Sequence, residues 1–219
     1  STYILPHLGM NENYGIFMLG SMIAAGGIFE SYPIIFDLIS DFERDHITYY
    51  YATLPLPTWM IFARLIIYYA IISGLMATLV IPVSLPILWH TIHLMHINWF
   101  IFGIILFLTS IFYGALNLFI ASFVRHSSQM GSVWTRIIFP LWFLGGFQFS
   151  WPALYDAVPW FAYVSLVNPI LHISEAYRST IIPEEPSIPI TISIIYLIAI
   201  TLIMTVIAIK RLKTRLDFI

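Results

Sequence analysis

A polytopic, all-α transmembrane bundle is the fold class this sequence predicts, and three observations carry it. Only 9% of the 219 residues are charged and 60% are hydrophobic, with a mean hydropathy of +0.90; a soluble domain carries about 25% charged residues. The run Leu65 to Val124 holds 60 residues without one Asp, Glu, Lys or Arg. The basic residues cluster between apolar stretches, as in a chain that crosses a bilayer repeatedly.

The same composition removes several function classes. An aromatic content of 17% with abundant Ile, Leu and Phe is the reverse of the disorder signature. A net charge of −2 with 9 Lys plus Arg offers no basic face for nucleic acid. The absence of cysteine removes disulfides, thiolate zinc sites and Cys nucleophiles together. No positively charged region precedes an apolar core, so no signal peptide is visible, and a chain that opens on Ser1 is expected to lack residues in front.

Charge spacing sets the spans. A helix over the whole charge-free run would be about 90 Å long, roughly three hydrocarbon thicknesses, so it must turn. Pro82 and Pro86 are expected to mark that turn, opening a connection to Asn98 and leaving spans over 59–81 and 98–124. Further spans are expected over 14–39, 133–149 and 188–209, five in all, within a single domain of residues 1–219. No internal repeat or low-complexity tract divides the chain.

Orientation follows from the basic residues. Arg44 and Arg64 flank the first connection, Arg125 and Arg136 the third, and Lys210, Arg211, Lys213 and Arg215 follow the last span, leaving only Arg178 opposite. By the positive-inside rule Phe42–Thr58, Val124–Ser132 and Lys210–Ile219 are expected in the cytoplasm, with Pro82–Asn98 and Ser150–Ser187 outside.

Two connections carry more than linkage. Phe42–Thr58 begins with Glu43, Arg44, Asp45 and His46, continues through Thr48, Tyr49, Tyr50 and Tyr51, and closes on Leu54-Pro55-Leu56-Pro57. A short interfacial helix stopped by proline fits that order. Residues 150–187 are too apolar and aromatic for disorder and read as short helices dipping into the outer leaflet. Asn168 and Pro169 supply a favoured N-cap and first helical residue there. Glu175 and Arg178, three apart in that helix, can pair on one face, worth a few tenths of a kcal/mol if exposed.

Little in the chain suits catalysis. G-x-x-x-x-G-K-[ST] needs a lysine, and Lys210 and Lys213 both lie in the basic tail; G-x-S-x-G is missing too. His90, His93 and His96 are spaced by three, which spreads them over about 120° of an α-helix and aligns them only on a 3₁₀ turn. Three imidazoles can ligate zinc, but no nearby carboxylate orients them, which favours interfacial polar residues. His172 reads as a packed amphipathic-helix residue. Glu30, about 24 Å into the first span, is either a functional ionisable group at depth or already at the inner head groups.

Tyr14–Met60 resembles the second span and coupling helix of type-2 ABC (ATP-binding cassette) exporter permeases, through Glu43-Arg44-Asp45, Thr48 and Leu54-Pro55-Leu56-Pro57-Thr58-Trp59. A longer match runs from Phe139-Pro140-Leu141-Trp142-Phe143-Leu144-Gly145-Gly146 through Trp151-Pro152-Ala153-Leu154 and Val158-Pro159-Trp160. It ends with Asn168-Pro169 and Glu175-Ala176-Tyr177-Arg178, and resembles the family's fifth span and outer re-entrant segment. Ile47 stands where the family usually has Gly, and the distance from Thr48 to Pro55 is one residue short. The family has six spans behind an amphipathic helix, so the five read here again imply an incomplete N-terminus.

The resemblance implies an exporter permease in a bacterial inner membrane, working as a dimer with separate ATPase subunits that hold ATP and Mg, and needing no cofactor of its own. It implies an ATPase-coupling role for Glu43, Arg44, Asp45, His46, Thr48, Tyr49, Tyr50 and Tyr51. It also implies an outer gate or re-entrant segment of Phe143, Phe147, Phe149, Trp151, Asn168, Pro169, Glu175 and Arg178, though those aromatics suit a lipid belt as well. An amphipathic, lipid-like, drug-like or glycan cargo fits; a membrane enzyme using His90, His93 and His96, or a scaffold that moves nothing, are the alternatives.

Overall fold

The computed structural model describes residues 14–45, 47–55, 57–88, 97–183 and 186–216. It is a bundle of helices, and no strand occurs among the described residues. Four helices are long and apolar enough to cross a membrane: Gly15–Arg44, Trp59–Pro86, Trp99–Phe123 and Ile190–Thr214. His90, His93 and His96 lie outside the described residues.

The first of these joins α1 (Tyr14–Phe29) and α2 (Ser31–Ser40), and runs into a π-helical turn, Asp41–Asp45. The interruption at Glu30 has a local cause. Pro33 has no N–H for the Phe29 carbonyl one turn back, and its ring crowds that carbonyl, so the helix bends there. A seven-residue helix, α3 (Ile47–Thr53), follows and ends before Pro55.

Pro82 and Pro86 do not end the next span, contrary to expectation: α4 runs unbroken from Thr58 to Leu88 through both. Four residues apart, they share one face, and both are exposed, so the rings project away from the protein instead of wedging into it. What is lost is the bonding of the Thr78 and Pro82 carbonyls alone.

The helix expected over 133–149 has other bounds, starting and ending earlier. Helix runs from Ser127 to Phe143, as a 3₁₀ turn (Ser127–Gln129), α6 (Met130–Val133), a π-helical stretch (Trp134–Ile138) and α7 (Phe139–Phe143). The chain crosses the bundle over this run, from Ser127 beside Glu43 to Gly146 beside Arg178. The helix stops at Gly145-Gly146, where Gly146 takes φ +72, the left-handed conformation open to glycine that closes many helices.

At the centre lies α5 (Trp99–Phe123), which packs against α1, α2, α4, α10 (Pro169–Ile181) and α11 (Ile190–Leu216). Tyr113, fully buried on α5, donates its hydroxyl to the Ala24 carbonyl of α1. Gly27 makes room for that ring, since a Cβ there would overlap it.

Contacts fix the relative heights. At one end Glu43 meets His126 and Ser127, and the Arg211 guanidinium lies 3.9 Å over Phe123. Away from that end, Phe29 packs on Trp134 and Trp142 at 6.2 and 5.4 Å, and Tyr32 on Trp134 at 5.7 Å. The segment Met130–Phe143 therefore runs antiparallel to α1–α2. Arg136 lies nine residues beyond Ser127 in the helical run, about 14 Å from the Glu43 end at 1.5 Å per residue.

Candidate functional site

Two constellations hold most of the residues nominated by sequence, one at each end of the bundle. At the charged end, Asp41 caps the coupling segment. Its carboxylate accepts from the backbone N–H of Ile47 at 2.8 Å, from that of Thr48 at 3.0 Å, and from the Thr48 hydroxyl. The first turn of α3 has no intrahelical partner for those N–H groups, and Asp41 supplies one from the preceding span. Thr48 is thereby buried and committed internally.

Glu43 is committed as well. It bonds His126 Nδ1 at 3.0 Å and accepts from the Ser127 N–H at 3.2 Å, tying the π-turn to the connection after α5. Arg64 places its guanidinium 4.1 Å from the ring centre of Tyr51, which fixes the back of α3 to α4. What remains outward is Arg44, Ile47 at 55% exposure and Tyr50 at 64%. His46 and the side chains of Asp45 and Tyr49 lie outside the described residues. Asp41, Ile47, Arg64, His126 and Ser127 are participants that sequence reasoning missed; Asp41 stands six residues before Ile47, too far for any helix-cap pattern to announce it.

At the opposite end three short helices follow the Gly145-Gly146 turn: α8 (Trp151–Ala157), α9 (Pro159–Ser165) and α10. Asn168 is the N-cap of α10, its Oδ1 accepting from the Ile170 N–H at 3.0 Å with Pro169 in the first turn, as expected. Its amide also donates to the Leu141 carbonyl at 2.8 Å, which anchors α10 to α7.

Glu175 and Arg178 pair on α10 at 2.6 Å, but not as an exposed pair: their side chains keep 1% and 4% of their accessible surface. Arg178 also donates to the Ser21 hydroxyl at 2.7 Å, to the Phe149 carbonyl at 3.2 Å and to the Gly146 carbonyl, and it lies 3.9 Å over the Phe17 ring. Glu175 accepts from the backbone N–H of Trp151 at 2.9 Å and of Ile188 at 3.4 Å. Burial pushes the Glu175 carboxyl up, while Arg178 and the two N–H groups pull against it in favour of the carboxylate. One ion pair thus joins α1, the Gly146–Trp151 turn, α10 and the approach to α11. Phe17, Ser21 and Gly146 were not legible as partners, because only the fold brings them to Arg178.

The remaining outer aromatics do not converge on one point. Phe143 is 49% exposed, Phe147 packs on Trp142 at 5.0 Å, and Trp151 turns its indole N–H to the Ala162 carbonyl at 2.9 Å. His172 is buried, bonding the Leu166 carbonyl at 2.9 Å and the Ser193 hydroxyl at 3.3 Å, and it stacks on Tyr196 at 4.2 Å. Burial holds its pKa below the ordinary value, against the pull of the Leu166 carbonyl. Among the described residues no cluster of His, Cys, Asp and Glu could hold a metal ion.

A family model described as ABC-2 type transporter matches residues 2–182. No curated protein and no solved structure matches the chain. With most of its length covered, the chain belongs to the ABC-2 type transporter family and is a permease subunit of an ABC transporter.

Proposed function

We propose that this ABC-2 permease exports an amphipathic cargo, driven by a separate ATPase subunit that engages the outward face of α3. The observation that carries the reading is the division of labour in the coupling segment. Asp41–Thr48 and Arg64–Tyr51 hold α3 to the π-turn and to α4, and Glu43–His126 ties that π-turn to the connection after α5, while Arg44, Ile47 and Tyr50 stay exposed. A push on that face reaches α2, α4 and the end of α5 together.

Physically, the ATPase can do work only if its contact with α3 differs in energy between two arrangements of the spans. Tyr50 suits an anchor of that kind, since buried aromatics carry much of the energy of protein contacts. The reading places the charged end in the cytoplasm of a bacterial inner membrane and pairs the chain with a second copy. ATP and Mg then belong to the ATPase.

The test uses the permease and its ATPase in proteoliposomes. Tyr50→Ala should leave ATP hydrolysis running while ATP-driven movement of cargo falls about tenfold or more, the scale of a lost anchor. Intact coupling in a well-folded Tyr50→Ala complex overturns the role given to α3.

A further inference from the structure

Arg136 is a cation within the bundle whose charge no ion pair among the described residues answers. It lies nine residues beyond Ser127, the partner of Glu43, so about 14 Å from the charged end at 1.5 Å per residue. Its neighbour Trp134 packs on Phe29 and Tyr32 of the helix Gly15–Arg44. Ion pairs among the described residues join Glu43 to His126 and Glu175 to Arg178, and none reaches Arg136. A cation at this depth is costly and is tolerated where it meets a cavity or a counter-charge.

The surroundings supply the cavity. Trp134 and Trp142 turn toward α1–α2, while Arg136 falls on a different face of the same helix and is exposed. There it edges a groove of about 370 Å³ between Met130–Phe143 and the α9–α10 junction. Leu141, Leu144, Phe161, Val164 and Val167 make its walls apolar, and Arg136 is the one charged residue among its described lining. Of the polar lining groups, Asn168 is spent on the Leu141 carbonyl and the α10 cap, and Ser165 donates to the Ala162 carbonyl.

We propose that this groove is a cargo site for an anionic amphiphile, with the acidic head on Arg136 and the apolar body along α7 and α9. Resting on the export reading above, the proposal narrows its cargo to a molecule with one acidic group and a long hydrocarbon part. A neutral amphiphile fills the same walls but leaves the guanidinium unanswered. A cationic one meets repulsion in a low-dielectric setting, where charges act more strongly than in water.

The experiment needs no ATPase. The full chain in phosphatidylcholine nanodiscs is titrated with dansyl-aminoundecanoic acid or its methyl ester, and binding is read by energy transfer from protein tryptophan. The acid should bind about tenfold more tightly than the ester, the scale of a charge-assisted hydrogen bond. Arg136→Gln should bring the acid down to the ester's affinity, Arg136→Lys should keep most of the preference, and Val164→Trp should weaken both ligands by filling the groove. Equal binding of acid and ester by the native chain overturns the proposal, as does an acid preference that survives Arg136→Gln. Loss of the preference when phosphatidic acid is added to the disc is the competition expected of another acidic amphiphile, and a preference untouched by it overturns the proposal. Failure of coupling in Tyr50→Ala leaves this binding unchanged, so the two readings fail separately.

Discussion

Arg178 Nη1 stands 2.6 Å from Glu175 Oε1, and the pair is almost wholly withdrawn from solvent. Deleting either partner strands the other charge in a buried site. Glu175→Gln and Arg178→Met should each cost about 3–5 kcal/mol. The double variant should recover part of that loss, because an uncharged pair no longer needs compensation. Thermal unfolding of the detergent-purified chain measures all three. A loss below about 1 kcal/mol in the single variants would mean that the pair does not organise this end of the bundle.

Asp41 acts on α3 through its two bonds to backbone N–H groups. Asp41→Ala should therefore destabilise the segment by about 0.5–2 kcal/mol, the range for a lost helix cap. Hydrogen exchange reads this directly: the amides of Ile47 and Thr48 should exchange faster in the variant, while those of α5 stay protected. Unchanged exchange at Ile47 and Thr48 would remove Asp41 from the coupling path.

His172 links stability to pH, and the sign follows from its lowered pKa. Above the ordinary histidine value, near 6.5, both the folded and unfolded chains hold a neutral imidazole and the group adds no slope. As pH falls through that value, the unfolded chain takes the proton first, so folded stability declines toward acid. The thermal midpoint of the purified chain should drop between pH 7.5 and pH 5.5, and His172→Gln should drop less. Equal drops would assign the dependence to other groups.

What the sequence made legible was local. Asn168-Pro169 announced the start of α10 because a cap and a first-turn proline act within three residues. The all-helical membrane class followed from composition, which needs no knowledge of contacts. Elsewhere the deciding partner was distant or the rule one-sided. Glu175 and Arg178 were visible as neighbours on a helix, but their burial depends on Ser21, Gly146 and Phe149, far away in the chain. Thr48 looked available to a partner until Asp41 claimed it. Pro82 and Pro86 read as a turn because proline disfavours helix, yet an outward-facing pair leaves a long apolar helix intact. The stretch 133–149 had a span's composition, but its helix starts earlier, at Ser127, and ends early at a glycine turn.

The aromatic contacts between α1–α2 and Met130–Phe143 have a mechanical consequence. Through Arg178, the Gly146–Trp151 turn, α10 and α1 are clamped into one block by directional bonds that fail if stretched by an ångström. Phe29 and Tyr32 meet Trp134 and Trp142 by ring faces and edges alone, at centroid distances of 5.4–6.2 Å. Such a seam has no fixed registry: rings exchange tilted for edge-on geometry at a cost of about 1 kcal/mol or less. The far end of Met130–Phe143 is tied to the block by the Asn168–Leu141 bond, so a shift along the seam pivots about that bond and moves the helix that carries Arg136.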